Sequence, residues 1–290
     1  MRSVRSFISF TVLLLLVHLA VLAHDRVSEK RSVKEPCLRY HFQAGDSVVY
    51  RLTAIDTIQF VGAPWLVKER DELISVVCDY VDPHGRMFLR QDQLSSRSSE
   101  VQQGDTTHVI RTTNPWKGHT AYIILDSNGR RILSRQLDTI HAAICPGGAF
   151  QTPLLLSLLD TTCHRTSDHR GWLMEHTDTL VENGFPYPLI SQLFNCSIRD
   201  SVYKTQLCFC VEFGQTAQAS QKTLSNDLGV YSRSVINTWG TSLFSKAEGQ
   251  PLLTQSHSDI KLWVNTPQSQ RRGEQRTHLR YERIFSKRTH

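Results

Sequence analysis

Across most of this chain apolar residues recur at every second position, the period of strands that bury one face. Val48, Tyr50, Leu52 and Ala54 alternate with Val49, Arg51, Thr53 and Ile55. Met87 and Leu89 point one way and Phe88 the other, while residues 202–213 (VYKTQLCFCVEF) carry the densest strand signal of the second half. Further strands are expected over Leu66–Tyr80, Thr120–Leu125, Gly171–Asn183, Val230–Phe244 and Thr277–Phe285, with two more over Leu252–Val264. Leu38, Tyr40 and Phe42 alternate with Arg39, His41 and Gln43 and read as one more half-buried strand before the turn at Ala44-Gly45-Asp46. Asp82-Pro83-His84-Gly85 and Asp126-Ser127-Asn128-Gly129 share a D-x-x-G-R pattern that common hairpin chemistry explains. Leu-Arg-Tyr occurs near both ends, at 38–40 and 279–281, and suggests that the terminal strands meet in one sheet. The fold class is therefore mainly β: an antiparallel curved sheet or half-barrel-like scaffold with one or two short helices.

The exception to the period-two pattern is Cys145–Asp160, CPGGAFQTPLLLSLLD. Pro146, Gly147 and Gly148 break the preceding strand, Thr152 can cap, Pro153 suits a first helical turn, and Leu154–Leu159 form an apolar run. A short buried helix follows from these residues, either a join between two β-rich halves (37–144 and 161–290) or a plug. The strands on either side are alike in character, which favours a helix packed on one shared scaffold. A second short helix is expected over Leu189–Phe194, after Pro186-Tyr187-Pro188.

Residues 1–23 have the organisation of a cleavable signal peptide: Arg2 and Arg5, an apolar run from Phe7 to Val21, and small residues ending at Ala23. Residues 24–36 are polar and aperiodic and read as a flexible leader before a β-rich domain over 37–290. No later stretch is apolar and long enough to span a bilayer as a helix, so no transmembrane segment is expected after cleavage. An exported chain meets oxidising conditions, so its seven cysteines are allowed to form disulfides, and their odd number leaves at least one unpaired within the chain. Cys145 with Cys163 is the favoured bridge. Cys208 and Cys210 sit on one face of a strand with Cα atoms about 7 Å apart, too far to bridge each other.

The formal charge of +6 is concentrated at the C-terminal end: from Arg271 to His290 there are seven Arg or Lys against two acids. This argues against nucleic acid as a partner of the whole surface. Arg271, Arg272, Arg276, Arg280 and Arg283 are instead candidates for contact with an anionic surface, or else the charges of an edge strand that discourages aggregation.

The opening L-R-Y-x-F-x-x-G-D, from Leu38, continuing to Tyr50, resembles the start of exported β-rich proteins of Bacteroidota and Chlorobiota-like bacteria that carry no assigned function. The resemblance covers about a dozen residues. It implies a place in the envelope of a Gram-negative cell, periplasmic or outer-membrane-associated or extracellular, and carries no catalytic residues. In architecture the pattern also resembles curved half-barrels that carry lipids or lipoproteins across the periplasm.

The usual catalytic and nucleotide-binding motifs are absent, and no cofactor is expected. Cys163, His164, His169 and His176 have short spacing that could suit zinc, but they read better as a polar loop, and no metal is assigned. Cys208 and Cys210 read as core, and Glu69, Asp71 and Glu72 as a solvated face. Cys145, four residues after His141 and beside Gly147-Gly148, is the sole opening for a nucleophile, and is better explained as the break before the helix. Asn195-Cys196-Ser197 fits a glycosylation triplet, which matters only in a eukaryotic secretory route. The expected function is an exported, non-enzymatic envelope protein that binds an apolar or amphipathic ligand, such as lipid, on the inner face of its sheet. The alternatives are a structural or interaction module of the envelope and a hydrolase of envelope material.

Overall fold

A computed structural model describes residues 38–112, 120–129, 131–136, 172–182, 185–225, 228–266 and 268–289. Alternating burial is realised as long antiparallel strands: β1 (Ser47–Phe60), β2 (Leu66–Val81), β3 (Met87–Gln102), β4 (Val109–Arg111), β5 (Thr120–Leu125), β6 (Arg131–Gln136), β7 (Trp172–Glu182), β8 (Phe185–Tyr203), β9 (Gln206–Ser225), β10 (Leu228–Ser245), β11 (Pro251–Asn265) and β12 (Gln270–Lys287). They form one sheet in the order β6-β5-β3-β2-β1-β12-β11-β10-β9-β8-β7, with β4 on the outside of β3. β1 and β12 lie side by side at its centre. From that seam two meanders grow outward, one from each end of the described chain, so the middle of the sequence supplies both edge strands. The edges β6 and β7 come within 8 Å, Cα to Cα, without forming a ladder, and the sheet is not closed into a barrel.

The sheet curls sharply at the end where the β5–β6 and β10–β11 hairpins turn. Tyr40 N–H donates to Ser127 O in the first turn (2.8 Å), and His41 N–H donates to Gly249 O in the second (3.0 Å). Two carbonyls held by consecutive residues lie within about 10 Å of each other. Five strand spacings separate those hairpins in the sheet, which would place them about 24 Å apart if it were flat. Curvature therefore brings β3 and β5 to face β9 and β10, and Leu89, Ile123, Phe209, Val211 and Phe244 share one buried cluster.

Residues 38–42 have the burial alternation of a strand but are not in the sheet. The Tyr40 and His41 N–H groups go to turn carbonyls, and Leu38, Tyr40 and Phe42 seal the curled end from below. Tyr40 meets Phe244 edge to face at 5.1 Å. A plug thus exists, built by this segment; the helix expected over Cys145–Asp160 lies outside the described residues. So do the Cys145–Cys163 pair, residues 1–23 and the leader.

The second expected helix, Leu189–Phe194, is strand: it lies within β8, paired with β7 on one side and β9 on the other. Among the described residues there is no helix. Two neighbouring ladders satisfy that backbone, which outweighs a local pattern of six residues. Pro186 and Pro188 fall where β8 pairs with β7 alone, so a missing N–H costs little there. Asp82–Gly85 and Asp126–Gly129 both form hairpin turns, with Gly85 at φ 76° and Gly129 at φ 82°. In the first, Asp82 Oδ1 accepts from the backbone N–H groups of His84 and Arg86, both at 2.9 Å.

Candidate functional site

Alternation and register sort side chains into two faces, and each face carries a distinct polar arrangement. On the inner face the character changes along the strands. Nearest the plug is the apolar cluster containing Val48, Tyr50, Val76 and Leu89. Above it sits a smaller cluster of Leu52, Ala54, Ile74, Leu279 and Tyr281. The level above is ionic: Asp56, 3% exposed, accepts from Arg70 Nε (2.7 Å), Thr277 Oγ1 (2.8 Å) and Gln275 Nε2 (3.2 Å). Arg70 also lies 3.8 Å from Glu72. Burial works against the Arg70 charge, but Asp56 and Glu72 outweigh it and leave the guanidinium more firmly protonated than usual. Burial raises the pKa of the Glu72 carboxyl, with Arg70 offsetting only part of the rise. Tyr281 lies beside this group, its phenol pushed well above the ordinary range by burial.

Opposite the ionic level, β10 and β11 present small hydroxyl-bearing side chains inward. Ser242 and Thr254 are hydrogen-bonded at 2.9 Å, Thr238 and Ser258 at 2.8 Å, with Ser256 and Gly240 between them. Across the ladder β3 contributes Gln91 and Gln93, whose buried carboxamide oxygens have no hydrogen-bond partner. The inner face therefore pairs an apolar floor with hydroxyls, an ion cluster and two unused acceptors.

The outer face carries a groove of about 940 Å³ that runs across β9, β10, β11, β12, β1 and β2. One wall is a continuous row in register: Trp239, His257, His278, Ile55 and Glu69. The Trp239 and His257 rings stack at 5.9 Å with 17° between planes, and His257 meets His278 edge to face at 4.5 Å. Thr53, Arg280, Gln255 and Thr241 form the opposite wall, and the backbone of the intervening inward-facing residues is its floor.

The five arginines expected to make an anionic-surface contact do not act as one patch. Arg283 is buried, ion-paired with Glu248 and hydrogen-bonded to Gln250 (3.2 Å) and Gln206 (3.3 Å). Arg276 lies 3.9 Å from Asp259 and Arg280 2.9 Å from Glu282. Arg271 and Arg272 are exposed at the start of β12 and make no ion pair among the described residues. Cys78, Cys208 and Cys210 are free, buried thiols; burial pushes that of Cys78 up to about 11. Glu69 and Asp71 face the outer side, while Glu72 points inward, so the expected solvated acidic cluster is split between the faces. Among the described residues no group of three His, Cys, Asp or Glu could hold a metal ion, and no helix is long and apolar enough to cross a membrane.

Glu282 gathers Lys204 Nζ (2.6 Å), Arg280 Nη2 (2.9 Å) and the Tyr203 hydroxyl (2.7 Å), tying β12 to the β8–β9 turn. Those hydrogen bonds, led by Lys204, hold its carboxyl down at about 2 from an ordinary 4.5. A depressed carboxylate stabilises the fold fully above its unfolded value and loses that contribution as pH falls toward its folded one. Thermal melts of the wild type and Glu282→Gln should therefore differ at pH 6, converge between about pH 4.5 and 2, and coincide below. An equal gap at pH 6 and pH 2 would show that charge is not the source.

No protein-family model and no curated protein matches the chain.

Proposed function

We propose that this is an exported, non-enzymatic protein of a bacterial cell envelope that holds an amphipathic ligand, such as a lipid, on the inner face of its sheet. One observation carries the reading: the inner face changes from an apolar floor, sealed by residues 38–42, to a level of hydroxyls and buried ions within the same strands. An amphiphile lying along the strands would set its apolar part toward Leu52, Ile74 and Leu279. Its polar part would meet the Ser96, Ser98 and Arg70 level. The organisation of residues 1–23 and the likeness of the Leu38–Tyr50 stretch to exported envelope proteins support the location.

Protein expressed with its own first 23 residues and purified from the envelope fraction should carry a lipid-sized adduct in native mass spectra. After delipidation it should enhance the fluorescence of 1-N-phenylnaphthylamine, and phospholipid should displace the dye. Protein found free of adduct and indifferent to the dye would refute the reading.

A further inference from the structure

The outer groove is separate from the inner face and has its own chemistry. Cross-strand aromatic pairs ordinarily serve only to stabilise a sheet, each ring covering its neighbour. Trp239 departs from that use, because 47% of it stays exposed. One face of its indole stacks on His257. On the other side its ladder partner is Gly214 on β9, which offers that face no side chain. β9 lies one strand spacing away, about 4.8 Å, so no cross-strand side chain from β9 stands against that side of the indole.

The polar groups along the groove select among ligands. Charges on the groove are largely neutralised in place: Arg280 by Glu282, and Glu212 by Arg199 at 3.6 Å. Arg276, next along the outer face of β12, faces Asp259. Glu69 is left without an ion pair among the described residues, and a single carboxylate makes no extended field and would repel rather than draw an anion. What remains is an aromatic plane together with hydrogen-bonding groups on both walls, His278 and Glu69 on one side and Gln255 and Thr241 on the other. An apolar ring face flanked by donors and acceptors matches a sugar ring, whose C–H face is apolar and whose edge carries hydroxyls. The groove crosses six strands, which makes it about 24 Å long, room for a chain of such rings. We propose that this groove binds a neutral oligosaccharide, with one sugar ring stacked on the exposed Trp239 indole.

The test uses the purified mature protein with chitotetraose, cellohexaose and maltoheptaose as probes, followed by tryptophan emission and titration calorimetry. Oligogalacturonate and phosphatidylglycerol vesicles represent an anionic glycan and a membrane. At least one neutral oligosaccharide should bind and shift the emission. Trp239→Ala should weaken that binding roughly ten-fold or more, with Trp239→Phe retaining part of it. Gly214→Val suits a strand, keeps the indole and sets a side chain beside it; it should weaken binding as strongly with an unchanged melting temperature, and it decides the matter if Trp239→Ala fails to fold. Failure of all three neutral probes, binding only of the anionic probe or vesicles, or undiminished binding by both Trp239→Ala and Gly214→Val overturns the proposal.

Discussion

Replacing Asp56 with alanine should destabilise the protein by about 3 kcal/mol, measured as a shift in the urea midpoint with an unchanged slope. Asp56 is 3% exposed and accepts from Arg70, Thr277 and Gln275, so its loss strands three donors, one of them charged. Breaking a buried pair from one side costs about 3–5 kcal/mol, because the remaining charge keeps its desolvation penalty. The lower end applies because the Arg70 side chain is 21% exposed and retains Glu72 at 3.8 Å. Asp56→Leu combined with Arg70→Met removes both charges and should recover much of the loss, although Glu72 then loses its cation. A single alanine substitution costing under 1 kcal/mol would mean that solvent reaches the pair.

The strands were legible because their signal is local. A period of two survives in sequence wherever one face is buried, as in Val48–Ala54; the match of 38–40 with 279–281 does not make the central seam, because residues 38–40 lie outside the sheet and β1 pairs with β12 instead. What sequence periodicity cannot carry is where a backbone sends its hydrogen bonds. Leu38–Phe42 has the alternation of a strand, yet its Tyr40 and His41 N–H groups go to two turns and it becomes the plug. Leu189–Phe194 lacks clear alternation, and its two flanking ladders decide for strand. The same limit hid both polar sites. Arg70 and Glu72 sit in a run that reads as solvated charge, and register alone turns them toward Asp56. Trp239, His257 and His278 are far apart in sequence, and no spacing rule links them before the β10–β11–β12 ladder is known. The basic residues of β12 show a related limit, since a net count cannot see that Asp259, Glu282 and Glu248 stand beside Arg276, Arg280 and Arg283.

Tyr40→Ala should prove as damaging as any single change in the described chain, at about 3–5 kcal/mol, the range for removing a large aromatic from a packed core. Tyr40 is 2% exposed, meets Phe244 edge to face, and belongs to the cluster that joins β3 and β5 to β9 and β10. The side chain is the inward end of a clamp whose backbone end grips the Ser127 carbonyl, so cavity formation and loosened curvature come together. His41→Ala is the control: its side chain is exposed while its backbone makes the second grip, and the change should stay within about 0.5 kcal/mol. Hydrogen exchange separates local from global loss. If residues 38–42 hold the curl, Tyr40→Ala should raise amide exchange at Tyr40, His41 and the β5–β6 and β10–β11 turns before it does so at the β1–β12 seam. Exchange that rises equally everywhere would make Tyr40 ordinary core, and exchange unchanged at both turns would show that the sheet keeps its curvature without the plug.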